Sequence, residues 1–379
     1  MPNFIDRLDE KLADEKKKEE LKQTLIDKAS DRERVLQDLM EKHWHTPLPQ
    51  IENVERRPAF AVDGSRAVRH LANGAYLFVA QALIVGDQQG ERVEATDVDV
   101  RILPGNTDAA VVERYAGLMM HRLEVRLAQE QARQMPIGSV IFLDGALYGQ
   151  MTSLYPLEEN ADSPLPDDVR ELPQTIVNIY LDLFKTCAER NLVLISIAKT
   201  SHEEAHGQVW WRNEHPKQEM PRKISDSEMI FRWTERKAGH SSPVLFGSTS
   251  TFRGGRRMLF DNVTDVPAIV SFFIRLTDFD DALRIDVPAS AIGRAETIGD
   301  VKTEQLIDPA QILPVIELVQ IDYGGLEVYN VLLYSVDREV RLRQEMMDQV
   351  YFGMIKSALE KNNDVEIRLD RSERRFHST

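Results

Sequence analysis

The chain contains one small motif twice, Val62-Asp63-Gly64-Ser65 and Leu143-Asp144-Gly145-Ala146. Each aspartate closes an apolar run, Ala59-Phe60-Ala61-Val62 in the first case and Val140-Ile141-Phe142-Leu143 in the second. Such runs read as buried strands. A carboxylate at the end of a buried strand loses hydration unless something cationic compensates it. Two of them restrict the fold, because neighbouring strand ends would let both acids share a divalent cation. Taken singly, each Asp-Gly pair is also an ordinary turn.

The elements around the motifs follow a readable order. Residues 4–43 are rich in Lys, Glu, Asp and Leu without Gly or Pro, and predict one or two amphipathic helices with Leu8, Leu12, Leu21, Leu25 and Ile26 at helical spacing. Pro47, Pro49 and Pro58 mark a linker. A strand ending at Asp63 comes next, then strands over 76–85 and 92–103. Pro104-Gly105-Asn106-Thr107 supplies a turn and cap for a helix through about residue 134, which Pro136 stops. The strand ending at Asp144, a helix over 174–190 and an apolar strand over 192–198 complete the series. Three strands on short links, then helix, strand, helix, strand, is a ribonuclease H-like order: an α/β fold with a mixed sheet flanked by helices. Further strands are expected over 243–252, 269–276 and 318–333, with a closing helix over 337–359. The domain plan is a helical arm over 1–50, a main domain over 51–360 and a charged, fraying tail over 361–379.

In that order the first and fourth strands are neighbours, which brings Asp63 and Asp144 together. The helix between them should add a third acid. Glu124 fits best, since its helical neighbours Gly117, Met120 and Ala128 are small or apolar, whereas Glu113 and Glu130 have more polar surroundings. Three carboxylates at one point repel each other unless Mg²⁺ or Mn²⁺ lies between them, and two such ions can drive phosphodiester cleavage.

Phe60-Ala61-Val62-Asp63-Gly64-Ser65-Arg66, Glu124, Phe142-Leu143-Asp144-Gly145-Ala146-Leu147 and Ser196-Ile197-Ala198-Lys199-Thr200-Ser201 together resemble the NurA nuclease family, over about residues 55–340. The resemblance implies a ribonuclease H-like, manganese-dependent DNA nuclease that forms ring-like dimers and works on DNA ends with the hexameric ATPase HerA. It also implies that Asp63, Glu124 and Asp144 bind the metals. Many members carry a Tyr-Pro start to a last segment, followed two helical turns on by a His. Here Tyr334-Ser335 takes the first place, and Leu342, between Arg341 and Arg343, stands where the His is expected. Asp337 or Asp322 would supply an acid there, or serve as ordinary surface and helix-start residues.

Other signals have two readings each. Lys199 ends a buried strand, where it would neutralise the acids, orient a phosphate or form a plain salt bridge. Arg253, Arg256 and Arg257 form a basic Gly-containing loop, suited to phosphate contacts or simply solvated. Trp210 and Trp211 beside Arg212 would stack on bases or pack internally. His202-Glu203-Glu204-Ala205-His206 matches a zinc-protease pattern in a poor context, directly after a strand and before Gly207.

Composition narrows the classes. The formal charge of −15 argues against a protein that coats nucleic acid through its net field, and suggests that a partner supplies part of any grip on DNA. The single cysteine, Cys187, excludes an intramolecular disulfide and cysteine zinc fingers. No apolar run would span a bilayer and Met1-Pro2-Asn3 starts no signal peptide, so a cytoplasmic protein is expected. The reading from sequence is an Mn²⁺- or Mg²⁺-dependent DNA nuclease, dimeric and paired with a HerA-like ATPase. The alternatives are an inactive docking subunit of such an ATPase and a zinc protease.

Overall fold

The strand that begins at Ala59 does not stop at its aspartate. The computed structural model describes residues 4–25, 31–51, 56–88, 90–157, 165–199, 203–248, 259–326, 328–360 and 367–371. Helices α1 (Phe4–Ala13), α2 (Glu15–Leu25) and α3 (Asp31–His43) lead to a two-residue strand β1 (Trp44–His45) and then to β2, which runs from Ala59 to His70. The reason is its antiparallel partner β3 (Tyr76–Gln88), which pairs with β2 from Ala59↔Asp87 to His70↔Tyr76. On the other edge β2 pairs in parallel with β5 (Val140–Asp144), and that ladder ends at Val62↔Leu143. Asp63 is therefore the first residue of β2 beyond its parallel neighbour. It is not in a turn.

Beyond β3 lies β4 (Glu91–Leu103), an edge strand, and helix α4 (Ala109–Ala132) follows it. The N-cap of α4 is Asp108, whose carboxylate accepts from the Ala110 amide at 2.7 Å. After β5 come α5 (Leu147–Thr152), α6 (Asp167–Arg170), α7 (Leu172–Glu189) and strand β6 (Val193–Ala198), parallel to β5. The first and fourth strands of the expected series thus lie side by side. Helices α8 (Ala205–Glu214) and α9 (Asp226–Trp233) precede β7 (Gly239–Ser241), β8 (Val244–Phe246), β9 (Ile269–Arg275), β10 (Leu283–Pro288) and β11 (Gln305–Leu306). Among the described residues the mixed sheet has eleven strands, with the main path β1-β7-β9-β10-β6-β5-β2-β3-β4.

Alternation along the central strands feeds two cores. Phe60 and Val62 of β2, with Ile141 and Leu143 of β5, join the apolar cluster under α4 and α7. Ala59 and Ala61, with Val140 and Phe142, join the cluster under α10 (Leu313–Ile321) and α11 (Val331–Val340). These two helices replace the strand expected over 318–333. Their buried residues Val315, Ile316, Leu318 and Val319 follow a helical period, and the Asn330 side chain caps α11 by accepting from the Leu333 amide at 2.9 Å. The single helix expected over 337–359 is likewise two pieces: α11 ends at Val340, and α12 (Phe352–Glu360) follows a π-helical turn at Met346–Tyr351.

Among the described residues the N-terminal arm forms α1, α2 and α3, with a break at Asp14 and with residues 26–30 outside the described set. Leu36, Leu39 and Met40 anchor α3, which packs on α8 and α9, whereas α1 has no buried residue. Near the C-terminus, residues 367–371 pack on the body: the Ala72 amide donates to the Arg368 carbonyl at 2.7 Å, and Leu369 is buried.

Candidate metal centre

Asp63 and Asp144 continue the rows of Ala61 and Phe142, so both carboxylates emerge on the α11 side of the sheet. Glu124 comes from α4 on the opposite face and reaches the strand ends over Gly64. A Cβ built on Gly64 would stand 2.5 Å from Glu124 Oε1 and 2.7 Å from Met120 Cγ. Any side chain there would crowd Glu124 and Met120, so the glycine leaves the glutamate its place. The second motif uses its glycine differently. Gly145 has φ +97°, a left-handed conformation that ends β5 and turns the chain into α5.

The three acids lie in one another's field. Burial, followed by the Asp144 charge, pushes the Asp63 carboxyl up to about 7, against the Gly64 amide that it accepts from at 2.8 Å. Burial, followed by the charges of Asp63 and Asp144, pushes Glu124 up to about 8. Among the described residues no three His, Cys, Asp or Glu side chains converge tightly enough to form a metal-holding group. The acids meet through their fields, and the donor set is hard oxygen throughout, as Mn²⁺ and Mg²⁺ require. On charge and chemistry the residues fit such an ion.

Lys199, one residue past β6, donates to Asp144 Oδ2 at 3.1 Å. Burial is the largest single influence and works against its charge, but the Asp144 carboxylate and the Tyr329 hydroxyl together outweigh it and raise its pKa. Its ammonium lies 4.9 Å from the ring centre of Tyr329. The Tyr329 hydroxyl is buried without a hydrogen bond of normal geometry, and burial, then the Asp144 charge, pushes it up. Sequence reasoning missed this residue. Asn330 was the available signal, a helix cap directly before an apolar periodic run.

Asp337 lies mid-way along α11, not in the first turn of a last helix, and its charge raises Asp63 further. Tyr334 pairs instead with Arg338, whose Nη1 donates to its hydroxyl at 3.3 Å. Asp322 is buried against Arg56 at 3.5 Å. Leu342 turns its side chain into an apolar cluster with Leu77, Val79 and Met347, while its amide donates to Ser65 Oγ at 2.8 Å. Glu113 is engaged by Arg66 at 2.5 Å and Glu130 is exposed, which leaves Glu124 as the acid of α4 in the group.

The competing signals resolve elsewhere. His206 is fully buried, with Nδ1 at 3.1 Å from Asp226 and Nε2 at 3.0 Å from Ser271 Oγ, so neither ring nitrogen is open to zinc. Glu203 pairs with Arg284, and His202 lies outside the described residues. Trp210 is fully buried and stacked on His43, and Trp211 is buried with its indole N–H on the Gln218 carbonyl, so neither is placed to stack on a base. Arg253, Arg256 and Arg257 lie outside the described residues.

An open mixed sheet flanked by helices, with carboxylates gathered where two parallel strands end, defines a mixed α/β protein with an acidic site at its strand ends. A NurA domain matches residues 57–342, and the chain belongs to the NurA family. Its fold is similar to that of the NurA nuclease from Sulfolobus solfataricus, at 16% identity and a TM-score of 0.59, with 95% of this chain and 98% of that chain covered. It is also similar to a NurA bound to dAMP and manganese, at 13% identity and a TM-score of 0.56, covering 96% of this chain and 99% of that one. A further NurA structure with manganese matches at 12% identity and a TM-score of 0.54, covering 92% and 99%. The search among curated proteins finds no match.

Proposed function

We propose that this protein is a divalent-metal-dependent DNA nuclease whose metal ligands are Asp63, Glu124 and Asp144. The observation that carries this reading is the acid group itself: a buried Asp63 and a half-buried Glu124 raised to about 7 and 8 partly by the charge of Asp144 and, for Glu124, of Asp63, in a NurA-family chain. A cluster that repels itself this way gains most from a bound cation. When bound, two Mn²⁺ or Mg²⁺ ions supply positive charge for the phosphate and an activated water.

The remaining roles belong to this chain. Lys199 holds Asp144 and offers its ammonium to a phosphate oxygen, and the Tyr329 hydroxyl beside it is a donor for the same phosphate. Asp337 stands as a fourth acid on the α11 side. In the same reading the protein is a cytoplasmic homodimer that takes DNA ends or single strands from a HerA-like hexameric ATPase. The acid net charge supports a partner that provides the grip, and among the described residues no helix is long and apolar enough to cross a membrane. The exposed α1, with Phe4 and Ile5 at 73% and 76% exposure, is the proposed docking element.

Purified protein is expected to degrade end-exposed or single-stranded DNA only with Mn²⁺ or Mg²⁺. Asp63→Asn and Asp144→Asn should each abolish cutting and Mn²⁺ binding while the fold persists. A second reading, an inactive docking subunit, is favoured by one observation: Leu342 places an apolar side chain, packed into a core, where other family members carry a His. Failure to bind Mn²⁺ would decide for it.

A further inference from the structure

Behind the acids, three side chains form a continuous line of hydrogen bonds that the reaction itself does not use. His121 Nε2 lies 2.7 Å from the Tyr180 hydroxyl, which donates to Gln150 Oε1 at 3.1 Å. Gln150 Nε2 in turn donates to the main-chain carbonyl of Asp144 at 3.1 Å. Tyr180 is fully buried and His121 nearly so. The direction of the line is fixed by its far end. The Asp144 carbonyl only accepts, so the Gln150 amide presents its oxygen to Tyr180, whose single proton goes there. The Tyr180 oxygen must then accept from His121 Nε2–H. Burial lowers His121 to about 4, which keeps the ring neutral with one donor nitrogen.

The line starts on α4 one turn before Glu124, crosses α7 and ends on the carbonyl of Asp144. It thus spans the gap between the carriers of two acids that come from opposite faces of the sheet. At its end the chain leaves the sheet: Gly145 is left-handed, and its amide donates to the Ile197 carbonyl at 2.9 Å. A Cβ there would stand 2.9 Å from Gln150 Nε2, so the glycine is also what admits the glutamine. The neighbouring main-chain groups are held as well: Ser196 Oγ donates to the Gly145 carbonyl, and the Tyr148 amide donates to Asp286 at 3.0 Å. Of these clamps only the glutamine line leads back to the helix of Glu124.

We propose that His121, Tyr180 and Gln150 act as a positioning relay that sets the spacing of Glu124 and Asp144, and with it the affinity of the site for its divalent cation. The inference rests on the metal-site reading above. Partners one step behind a metal ligand typically change affinity by about 10–100-fold when removed.

The test is calorimetric titration of the full chain with MnCl₂, with circular dichroism and thermal melting as fold controls. Wild-type protein should bind Mn²⁺ and Asp63→Asn should not, which establishes the site independently of the relay. Tyr180→Phe keeps the ring and removes the hydroxyl, and Gln150→Leu removes the amide. Each should weaken Mn²⁺ binding about 10-fold, and the double variant should be no weaker than either, because both break one line. Gln150→Glu, which can accept from Tyr180 but not donate to Asp144, should behave as Gln150→Leu does and serves if that variant fails to fold. Wild-type affinity in the folded single variants would overturn the relay and leave the metal site standing. So would independent, additive losses, which mark two separate packing effects. A wild-type protein that binds no Mn²⁺ would overturn both.

Discussion

Asp63-Gly64 and Asp144-Gly145 are twins in sequence and opposites in structure. Both aspartates accept from the amide of their own glycine, but in the first motif the strand continues for seven more residues to His70 and the glycine leaves room for Glu124. In the second, the strand ends, the aspartate is bonded by Lys199, and the glycine exists to reverse the chain at φ +97°. A glycine required for room and a glycine required for conformation respond to different substitutions. The pair also divides the electrostatics, since the Lys199 ammonium bonds Asp144 directly and acts on Asp63 only through its field.

The largest expected effect is at Gly64. Alanine places a methyl group within 2.5 Å of Glu124 Oε1, so the glutamate must leave its position or the strand must shift. Overpacking of this kind costs about 1–3 kcal/mol, and displacement of a reacting-site group by about 1 Å costs on the order of 100-fold in rate. Gly64→Ala should therefore lower the melting temperature and nearly remove metal-dependent cutting. A variant with normal activity would show that Glu124 does not belong to the site.

The pH dependence separates the same two motifs. Asp63 and Glu124 have folded-state values of about 7 and 8, above the ordinary carboxyl range. The metal-free folded protein therefore binds protons that the unfolded chain has already released. The sign is that their contribution to stability is full below the ordinary carboxyl values of 3.8 and 4.5 and is lost progressively as pH rises from there through about 7 to 8. Melting temperature of wild type minus that of Asp63→Asn should fall over that window without metal, and Mn²⁺ should cancel the fall. A flat difference would mean that Asp63 does not sit in the repulsive field described.

At Gly145 the expected loss is conformational. Alanine in a left-handed position costs about 1–2 kcal/mol, and Gly145→Asn should cost less than Gly145→Ala because asparagine visits this region more readily. That ranking would not hold at Gly64, where the larger side chain must do worse. Equal rankings at both positions, read from thermal melts, would erase the distinction between the motifs.

Much of this was legible before the structure. Five strands and two helices around the motifs follow from apolar runs and punctuation, because the central strands are buried on both faces and α4 is long. The continuation of β2 past Asp63 was not, since residues 64–70 carry Ser, Arg and His and lose burial once the parallel neighbour stops. The stretch 318–333 misled because Leu318, Val319 and Ile321 form a dense apolar run that suits a buried strand or a buried helix equally. That error hid Tyr329 and moved Asp337 to the wrong turn. The buried fate of Trp210 and His206 depends on residues far along the chain, Ser242, Asp226 and Ser271, which no local pattern connects.

The smallest expected effect falls on Lys199, and it decides between two roles. Its side chain is 43% exposed, so the bond to Asp144 is screened and should contribute no more than about 1 kcal/mol to stability. Lys199→Met should accordingly melt close to wild type. Mn²⁺ binding should be preserved, because Asp144 keeps its carboxylate and loses only a competitor for it. Cutting is a different matter if the ammonium serves the phosphate, since that contact would exist only with DNA bound. The expectation is a reduced cutting rate and a weaker hold on DNA at unchanged Mn²⁺ affinity, with the salt dependence of DNA binding shallower by about one phosphate contact. Unchanged cutting, DNA binding and salt slope in the variant would reduce Lys199 to the counter-ion of Asp144.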